Sequence, residues 1–138
     1  MKEKSDRYRI AITIIICHLL LIGTLVALFI ADALLLEEFT PLLTLLAPVT
    51  AIYAGSVFRY LSGSIRAGVD APEEVPLPHA TLIRKLVLAH FAAMMFLILA
   101  KAVFNWIEFS TMTILMTLLE TSFGVYMGMV MSAVFGDT

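Results

Sequence analysis

The sequence predicts an all-α integral membrane protein with four transmembrane helices in two antiparallel hairpins. Three observations predict it. Of 138 residues, 61% are hydrophobic and 14% charged, whereas soluble domains run near 25% charged, and a chain this short leaves too much surface in water to hide so much apolar material. Four apolar runs approach the ~20 residues that a helix needs to cross a bilayer. Basic residues concentrate on alternate connections, which is the positive-inside pattern. Helices are the spanning form expected, because they satisfy every backbone group within one segment and the alternation of a membrane barrel strand is absent.

The first span is expected over residues 10–30, which carry no formal charge. Ser5 and Asp6 read as its N-terminal cap. Its apolar run exceeds that of a signal peptide, and no small-x-small cleavage site precedes a soluble domain, so a retained helix is expected. The second span is expected over 41–58, with Thr40 as cap and Pro41 at the first helical position. Pro48 lies inside it, removing one backbone donor and freeing the Thr44 carbonyl. Residues 59–85 read as the one long loop, punctuated by Gly63, Gly68, Pro72, Pro76 and Pro78. The third span is expected over 86–104, interrupted by Lys101, and the fourth over 111–135, interrupted by Glu120 and capped by Ser110. Short first and third connections make sequential helices antiparallel neighbours.

Lys2, Lys4, Arg7 and Arg9 precede the first span, and Arg59, Arg66, Arg84 and Lys85 flank the central loop. The first connection carries only Asp32, Glu37 and Glu38. The N-terminus, central loop and C-terminus are therefore expected in the cytoplasm, with insertion into a prokaryotic cytoplasmic (inner) membrane as a multi-pass protein. Tyr8, Phe58 and Tyr60 then fall at the inner interface, and Phe39, Phe104, Trp106 and Phe109 at the outer one.

Several function classes are disfavoured. A net charge of −2 without a long basic run argues against nucleic acid as a partner. A single cysteine, Cys17, excludes an internal disulfide and a CxxC pair. HExxH, nucleophile-elbow and P-loop motifs are missing, so a non-enzyme is expected.

Ionisable groups within apolar spans cost about 2.5–3.5 kcal/mol on insertion scales, so they mark the places where function is expected. Five qualify: His18, Asp32, His90, Lys101 and Glu120. Glu120 lies about 15 Å along its helix from Ser110, near the middle of a ~30 Å hydrocarbon core. It shares a helical face with Gly124, Gly128 and Ser132, a small-residue stripe that admits close helix packing. The carboxyl therefore reads either as a proton or cation site, including a ring of carboxylates lining a pore, or as a group hydrogen-bonded across a helix pair. Lys101 reads as a snorkelling side chain, with Asp32 or, at a stretch, Glu120 as alternative partners. His18 and His90 fall in the inner halves of their spans. A hydrogen bond to a neighbouring helix is the plain reading of each, and bis-imidazole ligation of haem b is the alternative. His90, Met94, Leu97 and Lys101 share one face. Ala47, Ala51 and Gly55 form a second small-residue stripe, and Gly23, Ala27 and Ala31 a third.

The expected function is a small self-associating membrane protein that forms an ion or solute pathway, pore-like with Glu120 facing its lumen, as in a membrane-disrupting effector. A non-catalytic accessory or anchoring subunit of a larger membrane complex is the alternative, and a haem-binding electron-transfer subunit the third. No cofactor is otherwise implied. The expected partners are the bilayer, further copies of the chain, and a cytoplasmic or membrane protein docking on loop 59–85.

Overall fold

The protein folds as four helices, seen in a computed structural model that describes residues 6–67 and 80–135, with backbone alone at 7–8, 52–53, 56–57, 59–61, 63–67 and 127–135. Helix α1 spans Asp6–Ile30, α2 Leu36–Ala67, α3 Ala80–Ala102 and α4 Phe109–Phe135. The central loop 68–79 lies outside the described residues, as does Ser5. Among the described residues two helices are long and apolar enough to cross a membrane: α1 from Arg9 to Ile30, and α3.

Each helix projects one buried stripe at three- and four-residue spacing, the period that brings side chains onto one helical face. In α1 the stripe is Ile10, Ile14, His18, Leu21 and Leu25. In α3 it is Ile83, Val87, His90, Phe91, Met94, Leu97 and Ile98, and in α4 Met112, Met116, Glu120 and Phe123. Helix α2 contributes Leu42 and Leu46. The hairpins lie side by side, α1 against α3 and α2 against α4. The N-terminal ends of α1 and α3 meet, since Asp6 and Arg9 line one pocket with Thr81 and Arg84.

The exterior is apolar. Leu19, Leu20, Ile30, Phe96, Ile114, Leu118 and Val125 are each more than half exposed. Scattered exposed leucines are ordinary, but an apolar surface running over α1, α3 and α4 is not.

Helix boundaries differ from those expected, for local reasons. Helix α2 begins at Leu36, five residues before Pro41. The Glu38 carboxylate reaches back to accept the Leu35 N–H at 3.1 Å, which is half of a capping box. Glu37 and Glu38 also place negative charge in the first turn, where the helix dipole favours it. Pro41 and Pro48 both lie within the helix. Around them the Thr40 and Thr44 hydroxyls donate to the Leu36 and Thr40 carbonyls, each at 2.8 Å. At its other end α2 runs through Gly63 to Ala67, and α3 starts at Ala80. The expected 59–85 loop is thus shortened from both sides. Helix α4 starts at Phe109, and the Met112 N–H donates to the Glu108 carbonyl at 3.0 Å, which places the cap ahead of Ser110.

Both tight connections close on a residue with positive φ: Asp32 at 55° and Asn105 at 50°. At Asp32 the N–H donates to Phe29 O at 3.1 Å, and the Ala33 N–H to Leu28 O at 2.9 Å. That pair of bonds is a Schellman cap, with Asp32 in the left-handed position that glycine usually fills.

Candidate functional site

The polar residues of the buried stripes come together. His18 is 2% exposed, His90 7% and Glu120 6%, and each occupies a core position of its own helix. Counted at 1.5 Å per residue, His18 lies about 18 Å from the start of α1, His90 about 15 Å from the start of α3, and Glu120 about 16 Å from the start of α4. Because α4 runs opposite to α1 and α3, all three reach the middle of the bundle. The sequence reading set His90 nearer one end, because it began that helix at Leu86 when α3 begins at Ala80.

His90 Nε2 and Glu120 Oε1 are 3.7 Å apart. This is too long for a hydrogen bond, and the two groups form an ion pair only when the imidazole is protonated. Among the described residues neither oxygen of Glu120 finds a hydrogen-bond donor. His18 lies beside this pair, since one phenyl ring, that of Phe91, meets both the His18 and the His90 imidazoles. Its Nδ1 lies 2.9 Å from the Ile14 carbonyl. A carbonyl only accepts, so Nδ1 carries a proton and the opposite nitrogen faces away from the α1 backbone.

Two phenyl rings wall the cluster. Phe123 stacks on the His90 imidazole with centroids 3.9 Å apart and planes 6° apart. Phe91 meets the His18 ring edge-on at 4.6 Å and the His90 ring at 5.2 Å. Bis-imidazole haem ligation requires a porphyrin plane between the two histidines, and Phe91 lies against both rings. No group of three or more His, Cys, Asp or Glu with metal-binding geometry occurs among the described residues. The chemistry this arrangement supports is proton exchange between a carboxyl and an imidazole, or transient compensation of a cation by one carboxylate.

The remaining candidates lie elsewhere. Lys101 Nζ is 3.3 Å from Glu38 Oε1 and 3.3 Å from Asn105 Oδ1. Its partner is therefore Glu38 at the start of α2, not Asp32 or Glu120. Glu38 was legible only as a connecting acid, because its place opposite Lys101 follows from the packing of one hairpin on the other. Asp32 is exposed and serves as a helix cap. Pro48, Ala47, Ala51 and Gly55 form an exposed face of α2, and Gly23 and Ala27 an exposed face of α1 that continues to Ala31 in the turn after it. A Cβ added at Gly23, Gly55 or Gly124 meets nothing within 4 Å. The Gly23 and Gly55 faces are thus not the contacts that hold the described helices of this chain together. Glu120 shares its inward face with Met112, Met116 and Phe123. Gly124 sits at the edge of that face, while the side-chain surroundings of Gly128 and Ser132 lie outside the described residues.

No protein-family model, curated protein or solved structure matches the chain.

Proposed function

We propose that the protein is a multi-pass protein of a prokaryotic cytoplasmic membrane that self-associates and provides an ion or solute pathway, with Glu120, His90 and His18 as the groups that handle the proton or cation. The apolar exterior supports the membrane setting. Only 22% of the apolar window in α1 and 39% of that in α3 is buried within the bundle, so neither behaves as the core helix of a soluble domain. On this reading α2 and α4 span as well. Arg9, Arg84 and Lys85 mark the cytoplasmic end, and Asp32, Glu37, Glu38 and Glu108 the opposite one.

The observation that carries the functional reading is the Glu120 carboxyl, buried in mid-bundle against an imidazole and, among the described residues, without a hydrogen bond. Leaving such a group unsatisfied costs about 1–3 kcal/mol, and more when it is charged. A purely structural core position is served better by leucine. Because Glu120 points into its own bundle, the pathway passes through each protomer's interior and not through a ring of Glu120 side chains between protomers. Reconstitution into liposomes tests this. Glu120→Gln is expected to lower proton or cation flux at least tenfold while the particle keeps its mass and helicity. Unchanged flux and selectivity remove Glu120 from the pathway.

A second reading, an accessory or anchoring subunit of a larger membrane complex, draws on the open glycine faces of α1 and α2, which would accept another protein's helix as readily as a copy of this one. Purification separates the two: a homogeneous multimer from the single gene supports the pathway, and instability without a second gene product supports the subunit.

A further inference from the structure

We propose that the pocket between the N-terminal ends of α1 and α3 binds the phosphate of an acidic phospholipid. The pocket is concave and lined by Asp6, Arg9, Ala80, Thr81 and Arg84. Two guanidinium groups, one from each helix, thus border one small polar cavity. Among the described residues neither arginine is engaged in an ion pair. Among the described lining residues Asp6 is the only acid, so these residues carry a net charge of +1 from two arginines and one aspartate. Arginine presents a planar fork of donors that matches a phosphate's oxygens, and the Thr81 hydroxyl adds a further donor.

The surface beside the pocket identifies the source of the phosphate. On the pocket's side of each helix, exposed Leu88 lies one turn beyond Arg84 on α3, and exposed Ile16 and Leu20 lie two and three turns beyond Arg9 on α1. A ligand with its phosphate between Arg9 and Arg84 and its acyl chains along these side chains satisfies both halves of the site. A free phosphate satisfies only the first. Basic pockets between helices at the cytoplasmic interface are suited to such headgroups. The proposal rests on the membrane reading and is independent of the Glu120 cluster.

The test is native mass spectrometry of the full chain, released from nanodiscs of phosphatidylcholine alone or mixed with phosphatidylglycerol. Selective retention of phosphatidylglycerol is expected, with retention falling roughly 10- to 30-fold in R9Q/R84Q, on the basis of about one kcal/mol per basic residue near an anionic surface. Asp6→Asn removes the opposing carboxylate and is expected to strengthen retention, a gain that a misfolded variant cannot imitate. Equal retention of both lipids, or retention indifferent to all three substitutions, overturns the proposal. Added inorganic phosphate is expected to leave the lipid in place, and its displacement at millimolar phosphate overturns the assignment to lipid. A chain that fails to enter nanodiscs at all overturns the membrane reading as well, whereas loss of selective retention alone leaves that reading intact.

Discussion

At 3.7 Å from the His90 imidazole, the Glu120 carboxylate occupies a position where the neighbouring stripe residues, Met112, Met116 and Phe123, are apolar. Replacing a buried ionisable pair with apolar side chains of similar volume is often neutral or stabilising by about 1–4 kcal/mol. H90F/E120L is therefore expected to unfold at the same or higher denaturant concentration than the wild type, a result read by far-UV circular dichroism. A large loss of stability in this variant would assign the pair to structure. Asp32 makes the opposite case. Its φ of 55° is a glycine-like conformation at a helix end, so Asp32→Gly is expected to be neutral or to stabilise by about 0.5–1 kcal/mol. Loss of ion flux in this variant, measured in the same liposome assay, would return Asp32 to the pathway. The sequence made the polar residues legible as candidates because ionisable groups are conspicuous in apolar runs. It did not separate Asp32 from the others, since a cap and a pathway residue differ in backbone conformation and not in residue type.

Among the elements, the start of α2 draws together most of what sequence reading missed. Glu38 both accepts the Leu35 N–H and pairs with Lys101 from α3, so one side chain starts a helix and ties the two hairpins at their end. The pair is only partly buried, at 20% and 15% side-chain exposure, so its coupling is modest. A double-mutant cycle on E38A and K101A is expected to give a coupling of about 0.5–1 kcal/mol, with E38A the costlier single change because it also removes the capping bond. Strict additivity would show that the contact contributes nothing. The four helices were legible because each long apolar run carries a helix, and two of them are long and apolar enough to cross a membrane. Their ends were not, because Pro41 is a strong start signal by residue type and a capping carboxylate three residues after Leu35 outweighs it. The inward faces of α1 and α3 follow from their three- and four-residue spacing. That of α4 was harder to assign, because Thr113, Gly124 and the methionines offer two competing faces on an almost uniformly apolar helix.

For the molecule as a whole, the four buried stripes close one bundle and leave the glycine faces outside it. G23L and G55L, introduced into open space, are expected to leave helicity and stability unchanged while reducing the mass of the detergent-solubilised particle. A particle of unchanged mass would separate those faces from self-association. In the proposed pathway the buried cluster is kept for transport at the expense of packing. The most direct test is ion flux through liposomes containing H90F/E120L, measured beside its thermal unfolding. The expected result is a bundle at least as stable as the wild type that conducts at least tenfold less. A stable apolar variant that conducts as the wild type does would contradict the account.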